Sequence, residues 1–288
     1  SQVGFCLGLL RGGPLGALAA WTAFTLPSAI LLVLFAYGAA SAGGPVEAAI
    51  LHGLKLVAVA VVAQAVYGMA KNLTPDRTRA GIALASVLIV TFMASAFGQV
   101  IAIAVGAIGG LLLCRQPGGG SVGHLSVPIS RRFGAGCLVV FLALLVVMPL
   151  WASVSGSGDV HLFDAFYRSG ALVFGGGHVV LPLLKAEIVD KGWLSNDVFL
   201  AGYGAAQAVP GPLFTFAAYL GAAIGQATGD LASVAVALIA IFLPGLLLVT
   251  GALPFWEAVR RREDAQAAMR GANAAVVGIL GAALYNPV

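Results

Sequence analysis

The sequence predicts an all-α polytopic membrane protein, built as two related halves in opposite orientation, an inverted repeat, with broken or re-entrant helices. Three observations lead there. First, 60% of the 288 residues are hydrophobic and only 9% are charged, against roughly 25% charged in an ordinary soluble domain. With a mean hydropathy of +1.01, such a chain cannot cover a globule with a solvated surface. Second, long uncharged runs recur, several of them reaching the ~20 helical residues that cross a hydrocarbon core. Third, the two halves share residues while their basic loops fall on different connections. A soluble enzyme and a nucleic-acid binder are excluded. The 15 Lys+Arg against 11 Asp+Glu give a net charge of +4, and most of the basic residues sit in a few short loops, which is orientation chemistry rather than a binding stripe.

The uncharged runs lie at about 15–40, 48–70, 80–97, 99–114, 133–154, 171–184, 198–225, 231–255 and 271–288. Two of them are not simple. The 171–184 run is short and holds Gly175-Gly176-Gly177, and 198–225 is interrupted by Pro210-Gly211-Pro212. Broken helices are tolerated at membrane depth only where protein or a water-lined cavity satisfies the freed backbone groups. The Gly-, Ser- and Pro-rich stretch from Arg115 to Arg132 is the one clear linker. It divides the chain into a first half at 1–114, a linker at 115–134 and a second half at 135–288.

Gly8, Leu26 and Pro27 match Gly225, Leu243 and Pro244 at one constant offset, and Gly53, Ala65 and Tyr67 match Gly271, Ala283 and Tyr285 at one residue more. Gly, Ala and Leu matches come cheaply in this composition, but the shared Leu-Pro after an apolar run does not. The Lys71–Arg79 loop, the 115–134 linker and Arg260-Arg261-Arg262 carry the basic excess and are expected in the cytoplasm. The loop that corresponds to 256–264 in the first half, about 41–47, has no Lys or Arg. It lies one span from the cytoplasmic 71–79 loop, so the halves face opposite ways, an arrangement common in secondary transporters.

Two motifs stand out. Phe174-Gly175-Gly176-Gly177-His178 follows Arg168 and precedes Lys185. Three glycines expose backbone N–H groups at which a helix can point its positive end to an anion, with Arg168, His178 or Lys185 adding charge or donors. The same glycines also suit a close helix crossing. In Gln207-Ala-Val-Pro210-Gly211-Pro212, two prolines remove two backbone donors, so the helix must unwind and restart near Pro212, with Gln207 offering an amide beside the new N-terminus. A proline kink without a ligand is the other reading. Between the motifs, Lys185 to Asp197 reads as an interfacial turn, with Trp193 at headgroup level and Ser195 capping the next helix. His52 and Lys55, with Arg270 and Asn273 as their repeat counterparts, lie near span ends, where snorkelling explains them. Cys6, Cys114 and Cys137 are isolated, so neither a disulfide framework nor a zinc site is suggested. No cofactor is expected, nor is an enzyme, for want of a paired nucleophile and base or an intramembrane metal cluster.

The run from Arg168 through Phe174-Gly-Gly-Gly-His178 to Leu184, then Gly192-Trp193-Leu, then Gln207-Ala-Val-Pro-Gly-Pro212 and finally Phe242-Leu-Pro244, resembles the second half of the chromate ion transporter family. The first half resembles it as well but starts late. In that family each half carries its own Phe-Gly-Gly and Pro-Gly-Pro motifs, and here Gly8 to Pro27 resembles only the segment C-terminal to that motif pair, as in an N-terminally truncated member. The resemblance implies a secondary active carrier of chromate, with sulfate as the look-alike, in the inner or plasma membrane, exporting chromate and conferring resistance to it. An anion channel or a carrier of other selectivity is the alternative. A proton or a counter-anion as coupling species, and monomer or homodimer, stay open. The site residues implied are Arg168, Phe174, Gly175, Gly176, Gly177, His178, Gln207, Pro210, Gly211 and Pro212, with Lys185, Lys55 and Asn273 as secondary candidates. A tetrahedral dianion suits convergent N–H groups and one or two cations better than carboxylates.

Overall fold

The computed structural model describes residues 2–41, 53, 60, 63–64, 66–93, 96–115, 129–173, 180–228, 230–260 and 262–285. Among them the regular structure is helical throughout, with no strand. The chain forms two compact units, one of residues 1–58, 126–171 and 184–254, the other of 59–125, 172–183 and 255–288.

In the first unit, α1 (Gln2–Ser41) is two helices rather than one. Gly12 and Gly13 leave helical geometry, Gly13 at φ 62° and ψ −158°, a conformation open to glycine and strained for other residues. Pro14 then stands at the first position of the returning helix, where its fixed φ is favourable and its missing N–H costs nothing. The chain doubles back so tightly that a Cβ on Gly8 would collide with the carbonyl of Gly16. The run of uncharged residues starts the first span near residue 15, but 2–11 is helix too, folded against that span with Phe5, Leu9 and Ala17 buried together. Arg11 broke the run, although it stands at the turn and not inside either helix's packed face.

A second hairpin has the same plan. After the break at Pro210-Gly211-Pro212, one 3₁₀ turn (Leu213–Thr215) runs into α8 (Phe216–Thr228), and the chain returns as α9 (Ala232–Arg260). Here Gly221 approaches the carbonyl of Ser233 and Gly225 that of Asp230, and the Asp230 side chain accepts from the Ala232 N–H at 2.8 Å. The helix of residues 2–11 runs alongside α9, with Gln2 against Gly245, and Phe5 and Leu9 packed with Ala17 near Leu246, Val249 and Leu253. The helix of residues 14–41 is therefore antiparallel to this part of α9, and its Trp21 reaches Phe242 edge-on at 5.3 Å.

The same unit holds α4 (Arg131–Val154), capped by Ser130, and α5 (Gly158–Ala171). Tyr167 of α5 donates to the carbonyl of Phe141 at 3.0 Å. The helix α6 (Val180–Ile188) ends in a turn where Gly192 takes φ +78° and the N–H of Trp193 bonds the carbonyl of Ile188 at 2.9 Å, a glycine-dependent helix stop. Ser195 then caps α7 (Asn196–Ala208) by accepting from Val198, as its place before Asn196 and Asp197 led us to expect.

The second unit packs α2 (Arg77–Phe92), α3 (Ala96–Leu113) and α10 (Glu263–Tyr285) beside a helical stretch at 66–73. Its crossing is made by small residues. A Cβ on Gly106 or Gly110 of α3 would meet the backbone of α10 at Gly271 or Ala267, and one on Gly278 would meet Ala83 of α2. With lipid tails as apolar as leucine, close backbone contact of this kind is what holds membrane helices together.

The helices Arg131–Val154 and Ala232–Trp256, and the apolar stretch of residues 2–38 that holds the first hairpin, are long and apolar enough to cross a membrane. Large apolar side chains lie bare on them and on α2: Leu15, Phe92 and Val154 are each at least 80% exposed. A soluble surface avoids apolar area on this scale, while a lipid-facing one requires it.

Candidate functional site

The helix break is where the sequence places it. Helix α7 stops at Ala208, Val209 is extended, and helical geometry resumes at Leu213 with Pro212 in the capping position at φ −74°. Gly211 has φ +155°, and a Cβ there would overlap the hydroxyl of Ser28 on α1. Glycine is thus needed for conformation and for space. The restart is anchored by Thr215, whose hydroxyl donates to the carbonyl of Pro212 at 2.7 Å. Two half-helices are clamped around the break by aromatic rings: Phe199 and Tyr203 of α7 meet Phe216 of α8 edge-on at 5.1 and 5.8 Å. Tyr219 bonds the carbonyl of Val198 at 3.0 Å, and its ring occupies the place a Cβ on Gly202 would take. Gln207 is hydrogen-bonded to Tyr203 through its side chain.

Three segments converge on one stretch of α9. Phe242 takes Trp21 on one side and Phe214, just past the break, at 5.6 Å on another. Gly170, at the end of α5, lies against the carbonyl of Ile241 and the ring of Pro244. The Phe-Leu-Pro signature is therefore the surface on which α1, the end of α5 and the restarted helix meet.

Arg168 is not a solitary cation. Its guanidinium donates to Asp164 at 2.8 Å, one turn earlier, and to Glu187 of α6 at 3.0 Å, and Glu187 also pairs with Lys191. Asp164 is buried, while Arg168 is about a third exposed. The guanidinium has a spare donor: its Nε is buried without a partner among the described residues. Asp164 and Glu187 were not among the residues singled out from the sequence. The Asp164–Arg168 spacing of one helical turn was a visible signal, but Glu187 sits in another element and only the fold brings it in.

The remaining candidates are dispersed or undescribed. Phe174, Gly175, Gly176, Gly177 and His178 lie outside the described residues, as does Lys55. Lys185 is half-buried in the last turn of α6. Asn273 is exposed on α10, in the other unit, where Arg270 donates to the carbonyl of Cys114 at 3.0 Å. A separate cavity of ≈ 280 Å³ is lined by Asp159, Leu162, Trp193, Ile224, Asp230 and Ser233. Its two carboxylates would repel a dianion.

The helix break packs against α1, and Arg168, held by two carboxylates, keeps one buried guanidinium donor without a partner among the described residues. The family model described as "Chromate transporter" matches residues 1–111 and 160–288. The chain belongs to that family. Among curated relatives, the chromate transport protein of Pseudomonas aeruginosa is 27% identical over 96% of this chain and 64% of its own length. The probable chromate transport protein of Synechococcus elongatus is 25% identical over 99% of this chain and 69% of its own. The transporter YwrA of Bacillus subtilis is 41% identical, over 31% of this chain and 49% of its own. The chain thus spans about two thirds of the length of the two chromate transport proteins. No solved structure matches it. It is a member of a transporter family with membrane-spanning helices, which agrees with the helical fold class and the resemblance read from the sequence.

Proposed function

We propose that the protein moves chromate, a sulfate-like tetrahedral oxyanion, across the cell membrane as a secondary active carrier, exporting it and so conferring resistance. The observation that carries this reading is the helix that stops at Ala208 and restarts at Leu213 against α1, in a chain of the chromate transporter family. At the restart the first backbone N–H groups have no intrahelical acceptor and point their positive end at a ligand. Arg168 supplies positive charge by exchanging a carboxylate partner for the oxyanion, and Gln207, Pro210, Gly211 and Pro212 shape the N-terminus. On the sequence motif alone, Phe174, Gly175, Gly176, Gly177 and His178 are further ligands in this proposal, with Lys185, Lys55 and Asn273 as secondary ones. Transport is coupled to a proton or a counter-anion.

The halves are inverted in this reading. Two features support it: the helix of residues 14–41 runs antiparallel to α9, and the turn of the first hairpin adjoins Arg11 whereas that of the second holds Asp230. By the positive-inside rule the first turn and the 115–134 linker are cytoplasmic and the second turn is outside.

The test is uptake and counterflow in proteoliposomes, comparing chromate with sulfate. Saturable uptake accelerated by trans chromate supports the carrier. Uptake that rises linearly with concentration identifies a channel, and saturable movement of a different anion identifies another selectivity.

A further inference from the structure

Helix 14–41 is almost wholly apolar, yet Trp21, Thr25 and Ser28 fall at positions i, i+4 and i+7, one stripe along one face. Thr25 and Ser28 are 0% and 1% exposed. Ser28 donates to the carbonyl of Thr25 at 3.0 Å. The hydroxyl of Thr25 and the indole Nε1 of Trp21 are both buried with no hydrogen-bond partner among the described residues. Three other helical hydroxyls among the described residues satisfy themselves on the preceding turn: Ser86 on Ile82, Thr91 on Val87 and Ser169 on Ala165. Thr25 does not. Leaving a buried donor unmet costs about 1–3 kcal/mol, and two such donors lie on one stripe.

The stripe faces the helix break. Ser28 meets Gly211, and Trp21 meets Phe242, which also carries Phe214 from the first turn after the break. Thr25 lies between the two contacts. An indole N–H only donates, so whatever occupies this place must present an acceptor to it.

We propose that the Nε1–H of Trp21 and the hydroxyl of Thr25 bind the oxyanion, donating to its oxygens from the wall opposite the restarted helix. This assignment rests on the oxyanion-carrier reading above and adds to it two neutral ligands from the first half of the chain. Neutral donors fixed by packing stabilise an anion without burying a countercharge, and they fill a role that charge counting along the sequence does not reveal.

The test is equilibrium binding of radiolabelled sulfate, with chromate as competitor, to the purified protein and to Trp21→Phe, Thr25→Val and Thr25→Ser. Trp21→Phe keeps an aromatic ring for Phe242, and Thr25→Val keeps the shape of threonine. Each is expected to weaken binding roughly tenfold or more, while Thr25→Ser, which keeps the hydroxyl, stays close to wild type. Wild-type affinity in both Trp21→Phe and Thr25→Val overturns this assignment and leaves the carrier reading standing. Failure of the unsubstituted protein to bind either anion overturns both. Should a variant not fold, fluorotryptophan incorporated in the wild-type protein gives the answer directly: the Trp21 fluorine resonance shifts on saturation with sulfate, and an unmoved resonance overturns the assignment.

Discussion

The two helical hairpins, residues 2–41 and α8 with α9, solve one packing problem with different turns. In both, glycine on the shorter helix lets two backbones touch: Gly8 at Gly16, Gly221 at Ser233. The first hairpin reverses within Gly12-Gly13 and the second between Thr228 and Ala232, where Asp230 caps the returning helix. The second hairpin is also preceded by the Pro-Gly-Pro break. Close contact between the arms is thus the shared element, while turn chemistry and charge differ between the two.

That comparison breaks outright if the turns share a side. With the native cysteines removed, a cysteine introduced at Leu231 should react with an impermeant maleimide in intact cells and one at Arg11 only after permeabilisation, both positions being exposed. Same-side labelling ends the inverted arrangement.

Next in size are the crossings. Gly8→Leu and Gly221→Leu each force a side chain into backbone, and overpacking of this kind costs about 1–3 kcal/mol or more. Both should lower the thermal midpoint in detergent by several degrees, where Gly4→Leu, with open space at its Cβ position, should not. A large loss in one hairpin alone would show that the arms are not held in the same way.

The break before the second hairpin is the next feature to test. Replacing Pro210 and Pro212 together by Ala restores two backbone donors and lets α7 run on, so chromate counterflow should fall at least about tenfold with expression little changed. Normal counterflow would reduce the motif to a kink.

A smaller effect is expected at Arg168. Arg168→Ala leaves the carboxylates of Asp164 and Glu187 facing each other, while Arg168→Ala with Glu187→Gln relieves that repulsion. If Arg168 serves only the ion-pair cluster, the double variant recovers transport as well as stability. If it binds the anion, stability returns and transport stays low.

The smallest effect lies outside both hairpins. The Asp76 carboxylate is held below its ordinary range, first by the Arg79 backbone N–H at 2.8 Å and then by the Arg79 side chain. A depressed carboxylate stabilises the fold above its unfolded value, near 3.8, and loses that effect as pH falls through the lower folded value. Protection of the Arg79 amide should therefore fade only in acid, and Asp76→Asn should make it insensitive to pH there.

Much of the fold was legible in the sequence for specific reasons. Pro210 and Pro212, two residues apart in an apolar run, remove two neighbouring backbone donors at once, so the break could be placed at that segment. Ser195 could be assigned as a cap from its position before Asn196 and Asp197. The first hairpin could not be read as easily, because a two-residue reversal between apolar helices leaves no polar loop. Gly12-Gly13-Pro14 was its local mark. Arg168 looked like a free cation because one of its partners lies nineteen residues away. Trp21 and Thr25 escaped notice because tryptophan and threonine are ordinary in an apolar span, and only burial without a partner sets them apart.

In the cluster of Asp164, Arg168, Glu187 and Lys191, two positive and two negative groups are held together, and their charges sum to zero. A single charge crossing the full membrane potential exchanges about 2.3 kcal/mol per 100 mV, but a neutral assembly moving as one body exchanges almost none. If this part of the protein shifts during the transport cycle, the voltage will not drive it. Any electrical sensitivity of the cycle then comes from charges outside this cluster, among them those of the anion and of whatever travels with it.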